Sequence, residues 1–355
     1  MHEPRNENAT LFAPQKIMLM DLTDTHDTTI GSMRKHATAY LHASLSKKLK
    51  TYTHTEAALD VDIILQHSLR QPRSYLLSHP ETPLSPQQTT HIRQALTLRS
   101  SGLAIAYITQ QKEFFGLPFF VNTDVLIPKP DTETLVETAL LSLTPPFAHP
   151  FRILDTCCGS GCIGISLAKN LVSSIIKNGV HYNNLILSTD SAKRAVFTKK
   201  PHTPAIELIC QDISPQALSV ASYNAHTLLH AERAKGSICV HFDLADASRP
   251  YSQTDYFDCI TANPPYIPRA LVERLLQDGR GEPRLALDGG LDGLHLYAAI
   301  AKNCYTSLKP NGSVFIEAGE YNIAKASMLF AEAGFKQIRI FNDITGAPRL
   351  FSARK

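Results

Sequence analysis

No apolar run in the chain is long enough to cross a bilayer, so no helical membrane span is expected. There is no strong excess of charge either. The 35 Lys and Arg against 32 Asp and Glu leave +3 over 355 residues, too little to argue for nucleic acid as a partner. A disulfide framework is missing: the seven cysteines are odd in number and scattered from Cys157 to Cys304. Cys157, Cys158 and Cys162 lie close together, but their spacing is not that of a zinc knuckle and no paired C-x-x-C follows. No metal is expected, and a reducing cytoplasm is the expected compartment. The first thirty or so residues are polar and carry Asp21, Asp24 and Asp27, unlike a signal peptide or an acid-poor transit peptide. What is left is ordinary globular protein, 43% hydrophobic and 19% charged, with enough chain for two domains and a large core.

Four regions follow from the patterning. Residues 1–29 read as a loose extension. Residues 30–104 have helical periodicity, with Ala57, Val61, Ile64, Leu65 and Leu69 on one face. Ser85-Pro86-Gln87-Gln88 supplies an N-cap, a first-turn proline and a capping-box glutamine. A small helical bundle is predicted, in which Arg34, Lys35, Lys47, Lys48 and Lys50 are read as a solvated face. Residues 105–125 are aromatic-rich around Gly116 and Pro118, as in a β-hairpin linker. Residues 126–355 open with Leu126-Ile127-Pro128-Lys129-Pro130-Asp131-Thr132-Glu133, where Asp131 or Thr132 is placed to cap a helix. Strands then alternate with helices: Phe151 to Asp155, Ala205 to Gln211, Ser237 to Asp243, Phe257 to Ala262 and Gly312 to Ala318 are predicted parallel strands. Lys336 to Asn342 and Arg349 to Ala353 form a closing pair, completing a doubly wound α/β domain. The polar, basic stretch within 171–204 exceeds what one crossover needs and is read as a surface insertion.

Polar residues recur where successive strands end, which is where open α/β sheets bind ligands. Asp155-Thr156-Cys157-Cys158-Gly159-Ser160-Gly161-Cys162-Ile163-Gly164 joins the first strand to its helix. Gly159 and Gly161 allow tight turning and close approach to a ligand, and Gly164 allows close helix packing. Asp212 ends the second strand, suited to accepting both hydroxyls of a ribose. Asp243 ends the third and is followed by Leu244, suited to an adenine amino group and face. A capping role would explain either aspartate alone; the ordered set is harder to explain that way.

The fourth strand ends in Asn263-Pro264-Pro265-Tyr266. A planar amide or exocyclic amine is a poor nucleophile because its lone pair is delocalised, so it must be held in line with its electrophile. Asn263 can accept one N–H and a proline carbonyl the other, on a loop that proline makes rigid, with Tyr266 packed over the plane. A strand-ending turn would use Asn and Pro too. Combined with the upstream set, the tetrapeptide favours S-adenosyl-L-methionine over a dinucleotide.

The chain resembles the HemK/PrmC family, the glutamine N-methyltransferases of class I peptide chain release factors, from about Glu56 to its end. The resemblance is carried by Phe114-Phe115-Gly116-Leu117-Pro118-Phe119, by the segment 126–133, by the glycine loop, by Asn263-Pro264-Pro265-Tyr266-Ile267, and by Glu282-Pro283-Arg284-Leu285-Ala286-Leu287-Asp288-Gly289-Gly290. It implies a seven-stranded Rossmann-like methyltransferase domain behind a helical domain that helps dock the release factor. It implies a donor site of Asp155, Cys157, Gly159, Ser160, Gly161, Asp212, Asp243, Leu244 and Asn263. On the acceptor side it implies Asn263, Pro264 and Tyr266 as catalytic residues, with Pro265, Phe119, Pro128 and Glu282 also binding substrate. Lys129 stands where the family usually has Arg, Cys157 where glycine is common, and Ala104-Ile105-Ala106-Tyr107 where Pro-Ile-Ala-Tyr is usual.

The expected reaction is displacement at the sulfonium methyl by the amide nitrogen of the glutamine in a Gly-Gly-Gln loop, with no strong base required. The enzyme is expected to act as a monomer, without a stable nucleic-acid partner. Three alternatives remain open at this point. An N6-adenine methyltransferase would present the same planar nitrogen but would have to extrude a base and grip phosphates. A ribosomal-protein glutamine methyltransferase is disfavoured by Pro130-Asp131, since that sister family typically reads Ser-Pro there. A non-catalytic scaffold would not need both the donor loop and the intact tetrapeptide.

Overall fold

The computed structural model describes residues 29–49, 51–143, 150–177 and 205–355. The expected extension, apart from Thr29, and the expected insertion beyond Lys177 lie outside them.

The chain divides into two compact units at Thr109 and Gln110. The first is helical: Ile30–Leu45, His54–Leu69, Arg73–Ser78, Pro86–Ser100 and Ile105–Thr109. Thr29, Thr53 and Ser85 each close a capping box, so the first donors of three helices are satisfied locally. Met33, Leu41, Val61, Leu65, Ile92 and Leu96 meet in the bundle core. Arg34 is not merely a solvated basic residue. With Arg73 it binds the buried Asp62, whose carboxyl burial alone would push up and the two guanidiniums hold down. The change to strands comes after Thr109, because residues 105–109 add one more helical turn that buries Tyr107.

The second unit opens with the hairpin β1 (Gln111–Phe114) and β2 (Leu117–Phe120). Its two turn residues, Phe115 and Gly116, both have positive φ, the backbone twist that tight hairpins favour. Then come β3 (Phe151–Thr156), β4 (Ile206–Asp212), β5 (Ile238–Leu244), β6 (Phe257–Ala262), β7 (Leu308–Glu317), β8 (Lys336–Asn342) and β9 (Pro348–Arg354). They form one sheet in the order β5-β4-β3-β6-β7-β9-β8. The five strands from β5 to β7 are parallel, and β9 pairs antiparallel with both β7 and β8. Adjacent residues Ile153 and Leu154, or Leu208 and Ile209, belong to different core clusters, since alternate side chains face opposite sides of the sheet. Helices cover both faces, which is why the central strands are apolar nearly throughout.

The helix Cys162–Lys177 extends into the stretch read from sequence as insertion: Leu171, Val172 and Ile175 continue its buried stripe. No described helix is long and apolar enough to cross a membrane. Since β3 starts the sheet and the chain winds outward from it in both directions, the carboxyl ends of β3 and its neighbours border a natural crevice.

Candidate active site

Residues following β3, β4, β5 and β6 line one cavity of about 480 Å3, within the roughly 300–1,000 Å3 of small-molecule sites. Cys157, Gly159 and Ser160 line it from the first turn, Asp212 from the second, Asp246 and Ala247 from the third, and Asn263 and Pro265 from the fourth.

The glycine loop turns in the left-handed region, with φ of 56° at Cys157, 53° at Gly159 and 77° at Gly161. An L-residue pays roughly 1–2 kcal/mol there, so Cys157 is strained where glycine would not be. Gly161 shapes the turn without lining the cavity. At Gly164 the need is space: a Cβ would lie 2.8 Å from Asp155 Cβ and 2.9 Å from Leu208 Cδ1. That closeness lets Gly164 N donate to Asp155 Oδ2 at 3.0 Å, while the Thr261 hydroxyl donates to Oδ1 at 2.7 Å. Burial raises the Asp155 pKa to about 7 against these two bonds. Asp155 therefore lies beneath the loop and does not line the cavity, contrary to the expected ligand contact.

Asp212 accepts Gly159 N on one oxygen and Ser214 N on the other, both at 2.9 Å. Burial raises its pKa and these bonds oppose the rise. Each carboxylate oxygen retains acceptor capacity on the cavity side, as a ribose diol requires. Ser160 Oγ is buried and bonded to nothing among the described residues, and Ser160 lines the cavity. Its carbonyl accepts Asn224 Nδ2 at 2.9 Å, while Asn224 also exchanges bonds with Phe120 N and O at 2.8 and 3.0 Å. One side chain thus ties the hairpin to the glycine loop.

Asp243 and Leu244 do not line the cavity. Strand β5 runs one residue further than expected, placing Leu244 in solvent at 60% exposure and Asp243 against Gln211 Nε2 at 3.4 Å. The chain turns in only afterwards, pinned by Ala245 N on Asp212 O at 3.0 Å. Asp246 lines the cavity where Asp243 was expected to. Bonds from the Ser248 hydroxyl and N–H hold its carboxyl below the ordinary range.

At β6, Asn263 reaches the cavity and its Nδ2 donates to Thr132 Oγ1 at 3.5 Å. Pro265 lines the wall. Pro264 is buried and Tyr266 is turned away from the cavity, so neither lines it as expected. The Tyr266 hydroxyl donates to the buried Glu317 Oε1 at 3.2 Å, and its carbonyl accepts Asn322 Nδ2 at 3.0 Å. These bonds let Tyr266 support the loop from behind. The segment 282–290 braces the same loop: Ile267 N donates to Leu287 O at 3.0 Å and Gly289 N to Ile267 O at 2.9 Å. A Cβ on Gly289 would come 2.7 Å from Pro265 O, which explains that glycine.

Pro128 lines the cavity as expected. Phe119 does not: it is fully buried against Phe114 in the hairpin core, because β2 directs it inward. Glu282 stands just outside the wall, ion-paired to the wall residue Lys129. This pair needs one ammonium and one carboxylate, so lysine serves where a planar fork is not used.

Three residues escape a reading by spacing. Thr132 does not cap the helix Pro130–Ser142, whose N-cap is Lys129 without a side-chain bond; it faces Asn263 instead. Asp246 is hidden by Asp243 three residues earlier, which ends the same strand. Glu317 looks like any strand residue, and only its buried carboxyl reveals it.

A doubly wound sheet with its glycine loop after the central strand and Asn-Pro-Pro-Tyr after the neighbouring one defines a Rossmann-like domain of the S-adenosylmethionine-dependent methyltransferase class. Residues 41–109 match the model of the PrmC N-terminal domain. The chain is 31% identical to the release factor glutamine methyltransferase of Clostridium botulinum, covering 84% of this chain and 92% of that protein. It is 32% identical to the release factor glutamine methyltransferase of Bordetella pertussis, covering 82% and 93%. The chain belongs to the release factor glutamine methyltransferase family. A solved protein-(glutamine-N5) methyltransferase (release factor-specific) from Alicyclobacillus acidocaldarius is 24% identical over 67% of this chain and 99% of that one, with a TM-score of 0.33.

Proposed function

We propose that the protein methylates the side-chain amide nitrogen of the glutamine in the Gly-Gly-Gln motif of class I peptide chain release factors, supporting translation termination, with S-adenosyl-L-methionine as donor. The observation that carries this reading is the meeting of Asn263 with the glycine loop and Asp212 on one cavity. The donor fits the residues present: Asp212 for the ribose, Asp246 for the adenine amino group, Ile213, Ala217 and Ala247 as apolar cover, and the unpartnered Ser160 hydroxyl for a polar group.

When bound, the donor supplies an electrophilic methyl on sulfur, which passes to the glutamine nitrogen as the carbon–sulfur bond breaks and the nitrogen then loses a proton to water. Asn263 Oδ1 accepts an N–H of the glutamine amide and holds its nitrogen in line. Pro265 and the braced loop keep that geometry stiff. Alignment of this kind supplies up to about 7–11 kcal/mol in favourable cases, so no strong base is needed.

Asn263→Ala should cut turnover at least about 100-fold while leaving the dissociation constant of S-adenosylhomocysteine within about threefold, as calorimetry would read. Labelled donor should mark the glutamine of a release factor, and label on adenine or on a ribosomal protein would replace this reading.

A further inference from the structure

Behind the acceptor loop lies a buried acid that the reaction as described leaves without a role. Glu317 ends β7, is 1% exposed, and neither lines the cavity nor pairs directly with a cation. Its Oε1 accepts the Tyr266 hydroxyl at 3.2 Å, and its main-chain carbonyl accepts the Tyr297 hydroxyl at 2.7 Å. Its Oε2 is buried with no bond closed onto it among the described residues. An orphaned carboxylate oxygen costs roughly 1–3 kcal/mol or more, so its retention calls for a reason. The Thr132 hydroxyl, through its attraction to the carboxyl, opposes the effect of burial. Thr132 is itself 2% exposed and accepts Asn263 Nδ2.

A hydroxyl has one proton to give. When Thr132 gives it to Glu317, Thr132 Oγ1 can only accept, and the group it faces must present N–H. The amide of Asn263 is then fixed with Nδ2 toward Thr132 and Oδ1 toward the cavity, the orientation needed to accept an N–H from a substrate amide. When Glu317 is a neutral acid it can donate to Thr132 instead. The Thr132 proton is then free to point at Asn263, which favours the flipped amide with its donor end toward the substrate. We infer that Glu317 is a positioning residue: as a carboxylate it polarises Thr132 and thereby sets which end of the Asn263 amide meets the acceptor nitrogen. This inference deepens the reading of Asn263 as the acceptor-binding residue and rests on it.

The protonation state of Glu317 is set by groups from every side. Tyr266 and Tyr297 face it from the loop and the helix Tyr297–Ser307; Thr132 and Asp131 from the helix Pro130–Ser142; Arg349 from β9; and Cys162 from the helix after the glycine loop. Burial raises its pKa, the two hydroxyls and Arg349 lower it, Asp131 raises it, and the outcome is about 7. The switch therefore falls in the range where an enzyme operates.

The test compares kcat, KM and donor affinity for Glu317→Gln, Thr132→Val, Thr132→Ser and the Glu317→Gln/Thr132→Val double variant, with a release factor as substrate. Donor affinity within twofold of wild type certifies the folded site. The expected result is a ten- to hundredfold loss of kcat in Glu317→Gln and in Thr132→Val, with no greater loss in the double variant, because both act through one chain. Thr132→Ser, which keeps the hydroxyl, should retain activity. The wild-type kcat should fall as pH drops through about 7, and this acid limb should vanish in Glu317→Gln. Full kcat in Glu317→Gln, losses that multiply in the double variant, or an unchanged acid limb would each overturn the inference. Asn263→Ala separates the two levels: if it collapses turnover while Glu317→Gln is silent, only the role of Glu317 is wrong; if it too is silent, the acceptor-site reading falls with it.

Discussion

Two buried carboxyls stand behind the two halves of the cavity. Asp155 lies under the glycine loop and Glu317 behind the Asn263-Pro264-Pro265-Tyr266 loop, and burial raises both to about 7. They differ in how they are satisfied. Asp155 has a hydroxyl on one oxygen and a backbone N–H on the other. Glu317 has one oxygen bonded by Tyr266 and the other without a closed bond among the described residues. A fully bonded acid is a fastener, whereas one with an open oxygen retains a choice of partner and proton. On the proposed reading, the half of the site that would hold the donor is built for rigidity and the half that would hold the acceptor contains the adjustable element.

The sharpest way to break this contrast is to remove each acid. Asp155→Ala leaves a buried hydroxyl and a buried N–H without their acceptor, at roughly 1–3 kcal/mol each, so a loss of about 2–5 kcal/mol is expected in denaturant unfolding. Glu317→Gln should leave stability at pH 8 equal to or above wild type, since it removes a buried charge that folding disfavours. A large loss for Glu317→Gln, or none for Asp155→Ala, would erase the distinction.

The pH dependence of stability follows with a definite sign. Both carboxyls have folded pKa values above their unfolded ones, so their favourable contribution is complete below about pH 4 and is lost as pH rises through about 7. Each group contributes a downward slope of at most about 1.4 kcal/mol per pH unit across that window. Subtracting the Glu317→Gln melting curve from that of wild type should isolate one of the two slopes.

Smaller effects probe the glycine loop. Gly164→Ala forces a Cβ into Asp155 and Leu208 and should cost about 1–3 kcal/mol. Gly159→Ala meets no atom within 4 Å and should cost only the left-handed strain, about 1–2 kcal/mol. Thermal unfolding that ranks Gly159→Ala as the worse variant would mean that space is not the constraint at Gly164. The smallest effect runs the other way. Cys157→Gly relieves strain at φ 56° but loosens the unfolded chain, for a net gain of up to about 1 kcal/mol.

The sequence was most legible where a local rule decides the outcome. Ser85 caps its helix as its spacing indicates, Gly116 turns the hairpin, and Asp212 and Asn263 leave their strands into the cavity. It was least legible where one residue of register matters. Asp243 and Asp246 are chemically alike and three positions apart, and the extra residue of β5 decides between them. Tyr266 was expected over the planar group and Phe119, by the family resemblance, beside the substrate, yet one is drawn back by a buried acid and the other is packed into a hairpin.

By itself, the sequence determined the doubly wound fold, the glycine loop and the asparagine at the end of β6, because periodicity, glycine placement and strand-end chemistry act over a few residues. Only the tertiary structure placed Thr132 against Asn263 and buried Glu317 behind Tyr266 of the same loop. Thr132, Asn263 and Glu317 come from positions far apart in the chain, and no spacing rule links them. Burial made a common glutamate into a group with a free oxygen and a pKa of about 7, a property that exists only once surrounding elements have excluded water.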